Sequence, residues 1–172
     1  MNSFKQKPSE LHNFLDLIEE DLKNVRRVKQ FCQKNDLDVS FEIHPKAETV
    51  DESVQHSPVE KEQIVKTLIF KMGDDFVAVM APGNERVDTD KLEAISGEED
   101  IRMANPEEVE RQTGYVIGGV SPFDLELDIY MEEELLVQEK VRPAAGSRVV
   151  GVEISPRDLK EVSDSKASNL TN

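Results

Sequence analysis

"KTLIFKMGDDFVAVMAPG", residues 66–83, places two apolar runs on either side of a Gly73-Asp74 pair. Phe, Ile and Val favour a pleated, half-buried surface, and Gly-Asp supplies a turn. The stretch predicts two strands joined as a hairpin, and the rest of the chain is read outward from it.

Upstream, "SELHNFLDLIEEDLKNVRRVKQFCQKN" repeats Leu11, Phe14, Leu15, Ile18, Leu22, Val25, Val28 and Cys32 at steps of three and four. That is one helical stripe, with Ser9 as the expected N-cap and Asn35 as the stop. "LDVSFEIHP" then alternates Leu37, Val39, Phe41 and Ile43 with polar residues, the period of a strand with one buried face, closed by Pro45. A helical stretch through Val54, Val59, Ile64 and Val65 is expected to lead into the hairpin.

Downstream, "DTDKLEAISG" predicts a short helix that starts at Asp88 or Thr89 and stops at Gly97. "IRMA" predicts a short strand. "NPEEVERQTG" predicts a helix with Asn105 as N-cap, Pro106 at its first position and two glutamates in its first turn. "LELDIYM" and "RVVGVEI" read as strands, "EEELLVQEK" as a short helix or turn, and "SPRDLKEV" as a closing helix. The polar residues 163–172 are expected to be disordered. The sum is one α/β domain with a mixed sheet and no internal repeat.

At 172 residues, one domain can bury roughly two-thirds of its unfolded surface. No apolar run reaches the roughly 18 residues of a membrane span, the first ten residues lack a signal-peptide core, and a single cysteine cannot form an internal disulfide. The chain is read as cytoplasmic. Lys and Arg number 21 against 36 Asp and Glu, a net charge of −15. Residues 1–40 hold seven of each sign, so the whole excess lies beyond them. That balance argues against broad electrostatic binding to DNA or RNA and leaves room for a local contact.

"GYVIGGVSPFD", residues 114–124, concentrates three glycines and a proline. Such a loop is a turn at least, and a cradle for a ligand if its backbone is presented to one.

Four segments in order, "IVKTLIFK", "VMAPGNERVDTDKL", "IRMANPEEVERQTGYVIGGVSPF" and "AAGSRVVGVEISPRDL", resemble the YbaK and prolyl-tRNA editing family of trans-acting aminoacyl-tRNA deacylases. The resemblance covers about residues 37–162, with residues 1–36 as a helical extension. It implies a mixed, mostly antiparallel or barrel-like sheet surrounded by helices. It also implies hydrolysis of the ester of a mischarged aminoacyl-tRNA with no metal or cofactor, with a synthetase as a further partner. The chemical need is clear, because a pocket gains only about 1–3 kcal/mol per methylene and a second, hydrolytic sieve must supply the rest.

On this resemblance Lys66 lines the site and stabilises charge on the ester oxygens, and Gly118 lies against the scissile bond. Thr67, Gly119, Ser121, Pro122, Gly146 and Ser147 complete the substrate wall. Gly118 and Gly119 are expected to leave space that a side chain would block. The residues alone also allow a strand-end lysine with a solvated head and an ordinary Gly-Gly turn. Asp124 stands where the family usually has glycine, and a carboxylate at the rim would disfavour tRNA. With the acidic surface, it motivates an alternative, a non-catalytic small-molecule or protein-binding module on the same fold. Cys32 is read as core, His44 as a strand-closing residue, and no metal-ligand spacing joins His12, His44 and His56.

Overall fold

The computed structural model describes residues 8–43 and 60–172. The hairpin forms as read: β2 (Ile64–Met72) and β3 (Asp75–Pro82) pair antiparallel from Val65↔Pro82 to Met72↔Asp75. Gly73 turns the chain at φ +60°, and its N–H donates to Asp100 O at 2.9 Å. Alternation sends Val65, Ile69, Ala78 and Met80 into one apolar cluster and Phe70, Met72, Val77 and Val79 into another. The hairpin is thus buried on both faces.

The rest of the sheet grows from the edges of this pair. β4 (Ile101–Met103) runs antiparallel along Phe70–Met72, and β6 (Arg142–Pro143) runs parallel along Ile64–Val65. On the β3 side, β5 (Asp128–Glu132) and then β8 (Lys166–Ser168) add in parallel. β1 (Ser40–Ile43) and β7 (Val150–Glu153) form a separate antiparallel pair, and bridges Val141↔Ile154 and Ala144↔Gly151 join β7 to the segment around β6. The mixed α/β class is as expected. The long β2–β3 ladder is antiparallel, while the ladders outward from β3 are parallel.

Helix α1 (Pro8–Lys34) buries Val28 and Cys32 in the first cluster, and Phe31 meets Phe123 with ring centroids 6.0 Å apart. The extension is therefore packed into the same core as the rest of the chain. Pro8 is already helical, so Ser9 lies within the helix and is not its N-cap. Leu22, counted in the apolar stripe, is 49% exposed. The cap predictions hold for α2 (Thr89–Ser96), where Asp88 accepts from Asp90 N and Gly97 closes the helix at φ +78°. They hold again for α3 (Pro106–Thr113), where Asn105 and Glu108 form a reciprocal capping box. α4 (Pro156–Ser163) starts on Ser155.

Three expectations change. The predicted strand from Leu37 begins only at Ser40. Ile64 and Val65, read as the end of a helix, open β2 after a single 3₁₀ turn at Lys61–Gln63, because β-branched side chains suit the ladder to β3 and β6; Val54 and Val59 fall outside the described residues. Residues 163–172 are ordered against the core. β8 pairs with β5, Leu170 is 0% exposed in the second cluster, and the buried Glu132 carboxylate accepts the Leu170 and Thr171 N–H groups at 2.6 and 2.8 Å. Composition misses this because main-chain pairing and one leucine carry it.

Leu170→Ala should therefore lower the unfolding free energy in urea by about 2–4 kcal/mol; a change below about 0.5 kcal/mol, the scale of a surface substitution, would show the tail to be undocked. Arg102 makes a bidentate pair with Glu108 (2.8 and 3.0 Å), which with the Asn105 N–H holds the Glu108 carboxyl down to about 2. A depressed carboxyl stabilises the fold above its unfolded pKa, and that contribution is lost as the pH falls through about 2. A carboxyl NMR titration should find Glu108 there, and Arg102→Ala should return it toward the ordinary glutamate range.

Candidate functional site

The glycine-rich segment leaves α3 through Gly114 at φ +77°, a left-handed helix end. Tyr115 turns inward, fully buried, and its hydroxyl donates to Phe123 O at 2.7 Å, tying the start of the loop to its end. Burial pushes the Tyr115 phenol up to about 12, so it stays a donor. Between these ends Gly119 N–H donates to Val116 O at 2.9 Å, a four-residue turn with Gly118 third at φ +94°. That position demands glycine in a type II turn. Ser121 and Pro122 are buried behind it, and Ser121 Oγ accepts from Phe123 N at 3.3 Å.

The segment at 144–148 packs directly on this loop. A Cβ built on Gly119 would lie 3.0 Å from the Ser147 backbone, and one on Gly118 would lie 2.8 Å from Arg148 Nε. Gly146, at φ +83°, has the Asn24 backbone of α1 in the place of its missing side chain at 2.9 Å. Ser147 Oγ donates to Asp21 Oδ2 at 2.9 Å. The space beside Gly119 is filled by the Ser147 backbone, and the exposed Gly118 has the Arg148 side chain beside it. Their glycine identity is set by backbone conformation and close loop packing.

Lys66 and Thr67 sit at the start of β2, next to the end of β6 at Val65↔Pro143. Alternation places their side chains on opposite faces. Lys66 donates its ammonium to Glu85 O, and its pKa is lowered by burial, further by Arg86, against an opposing pull from Glu85. Thr67 shares the face of Val65 and Ile69; its hydroxyl is buried and has no hydrogen-bond partner among the described residues. The structure thus brings Gly118, Gly119, Gly146 and Ser147 together. Among the described residues Lys66 makes no bond to that group.

Asp124 takes φ +58°, left-handed backbone that glycine adopts without cost. Its carboxylate is paired with Arg27 Nε at 2.9 Å, so it does not stand as an uncompensated charge at the rim. Arg27, Asp21 and Asn24, all on α1, were missed by reading the sequence. The available signal was a run of polar residues at three-residue spacing flanking an apolar stripe. Cys32 is buried with its thiol pushed up to about 11, which fits a core residue and not a nucleophile. His44 and His56 lie outside the described residues, and among those described no cluster of His, Cys, Asp or Glu is arranged to hold a metal.

A family model described as aminoacyl-tRNA editing domain matches residues 44–162. The chain belongs to this family. Relatives extend the likeness: the uncharacterized protein YwhH of Bacillus subtilis is 36% identical over 149 residues, covering 84% of this chain and 92% of that protein. EbsC of Enterococcus faecalis, named as a candidate Cys-tRNA(Pro)/Cys-tRNA(Cys) deacylase, is 31% identical over 76% of this chain and 79% of its own. A proline–tRNA ligase of Caldicellulosiruptor saccharolyticus is 27% identical over 91% of this chain, which spans only 26% of that ligase. A crystal structure of a candidate trans-editing enzyme for prolyl tRNA synthetase superposes with a TM-score of 0.79 at 29% identity, covering 87% of this chain and 97% of that one. Among the described residues no helix is long and apolar enough to cross a membrane.

Within this editing domain two glycines separate conformation from contact. Gly97 and Gly146 have similar positive φ, but a Cβ meets nothing within 4 Å at Gly97 and the Asn24 backbone at Gly146. Gly97→Ala should cost about 1–2 kcal/mol, the left-handed penalty alone, and Gly146→Ala at least about 2 kcal/mol more, as for other backbone clashes in a packed interior. Equal losses in urea unfolding would contradict the tight apposition of α1 on the 144–148 loop.

Proposed function

We propose that this protein is a trans-acting deacylase that hydrolyses the ester joining a wrong amino acid to the 3′ end of a tRNA. Water adds to the ester carbonyl, the tetrahedral intermediate collapses with cleavage of the acyl C–O bond, and the ribose oxygen leaves with a proton. The products are a free amino acid and uncharged tRNA. The reading rests above all on the editing-domain match over residues 44–162, which includes Lys66, the Gly118 turn and the Gly146-Ser147 segment.

The chemistry such a site needs is donation to a developing oxyanion in a place that excludes water. Gly119 N–H is already bonded to Val116 O, which leaves the Gly118 N–H as the donor of the Gly-Gly pair with no bond among the described residues. Lys66 can serve charge or phosphate without leaving Glu85, because an ammonium has three donors and one is used there. Its lowered pKa reflects a partly desolvated cation, whose field acts more strongly than a solvated one. Thr67, Ser121, Pro122 and Ser147 are assigned to the walls of the substrate pocket. No side chain is assigned as general base, and the attacking water is left to substrate and backbone groups.

The binding-module alternative drew on Asp124 as a rim carboxylate. Pairing with Arg27 removes that support. The strongly acidic surface, with a net charge of −15, instead favours delivery of the tRNA by a partner such as a synthetase, since the domain offers little general attraction for phosphates.

Purified protein tested against a panel of mischarged tRNAs, with and without synthetase, should deacylate at least one. Lys66→Ala should lower kcat/KM on that substrate by about 100-fold, the scale of losing one oxyanion-directed donor, while urea unfolding stays within about 1 kcal/mol of wild type for a residue with no core role. Lys66→Arg should not restore the rate, because a planar fork does not replace a compact ammonium. Unchanged turnover in Lys66→Ala would remove Lys66 from the reaction.

A further inference from the structure

We propose that Arg27, on the helix that precedes the family-matched residues, is a positioning residue that holds the 114–124 loop in its working shape. Its guanidinium reaches both ends of the loop at once. Nη1 donates to Thr113 O at 2.6 Å where the loop leaves α3. Nη2 donates to Asp124 O at 2.5 Å, and Nε to Asp124 Oδ2 at 2.9 Å, where the loop ends. The guanidinium carbon lies 4.2 Å from the centre of the Tyr115 ring, whose hydroxyl closes the same loop on Phe123 O. A Cβ on Gly114 would lie 2.9 Å from Arg27 Nη1, so Gly114 also makes room for this contact.

The neighbouring steps of α1 extend the device to the second loop. Asp21, Asn24 and Arg27 follow at three-residue intervals, which puts them on one side of a helix. Asp21 accepts from Ser147 Oγ, and Asn24 backs Gly146. One edge of α1 therefore touches both segments that carry the proposed site, although it lies outside residues 44–162. Lysine cannot replace Arg27, since three donors in a fixed plane are needed to join two carbonyls and a carboxylate. Asp124 is explained by the same contact: it adds a carboxylate for Nε at a left-handed position.

The inference rests on the functional reading only where it invokes catalysis, and the test separates the two. Hydrogen exchange of the full chain, read on peptides covering 114–124 and on the β2–β3 hairpin, is compared for wild type, Arg27→Lys and Asp124→Gly, with single-turnover deacylation measured on the same preparations. In Arg27→Lys, exchange at 114–124 should rise about tenfold while the hairpin is unchanged, and kcat should fall at least about tenfold with KM within about twofold, as expected for misplaced backbone donors. Asp124→Gly should show the same pattern more weakly, because Nη1 and Nη2 keep their carbonyls. Unchanged loop exchange in Arg27→Lys overturns the proposal, as does wild-type kcat despite a loosened loop, or a loss confined to KM. A wild type inactive on every mischarged tRNA defeats the functional reading, and the exchange comparison then decides alone whether Arg27 sets the loop.

Discussion

The antiparallel ladder between β2 and β3 is the constraint on which the rest of the fold depends. Its eight paired positions fix which residues face each of two apolar clusters, and a slip of one residue would exchange every one of them. It also sets the geometry of the candidate site. β3 occupies one edge of β2 throughout, while β6 and β4 share the other edge end to end, so the segments that follow β6 and β4 leave the sheet beside Lys66–Leu68.

Packing between those loops and α1 then does what hydrogen-bond ladders do elsewhere. Gly119 and Gly146 let backbone segments approach within contact distance, the Arg148 side chain lies beside Gly118, and Tyr115 and Arg27 close the larger loop from inside and outside. Side chains at Gly119 and Gly146 would meet backbone, and one at the exposed Gly118 would meet the Arg148 side chain. Conformational uniqueness of the loop, and not an empty slot beneath the glycines, is what the sequence "GYVIGGVSP" secures. Presenting fixed N–H groups to a developing charge requires that kind of rigidity, since donors that must first reorganise contribute less.

Much of the fold was legible because its signals are local. The hairpin, the Asp88 and Asn105 caps and the Gly97 stop each depend on a few adjacent residues, and each is found where the sequence places it. What escaped is long-range. β6 is two residues, Arg142 and Pro143, with no periodicity to detect, and β8 is the short run Lys166-Ala167-Ser168 paired with β5, with Glu132 some forty residues upstream holding the amides just beyond it. At the site, the type of loop was visible but its support was not, since Arg27 and Asp124 are 97 residues apart in sequence. Lys66 stood out as a lysine at the start of a strand, yet alternation alone could not say that Glu85 O would receive it.

The proposed deacylase activity requires an aminoacyl end to bind beside Lys66 and the Gly118 turn. The most direct measurement is a two-dimensional ¹⁵N–¹H NMR titration with a 3′-aminoacylamino-3′-deoxyadenosine, an amide analogue that cannot be hydrolysed as the ester is. Saturable shifts are expected at the amides of Gly118, Gly146 and Ser147 and around Lys66 and Thr67, attenuated in Lys66→Ala. Shifts confined to another surface, such as the groove lined by Asn35, Asp38, Asp158 and Glu161, would contradict the proposal.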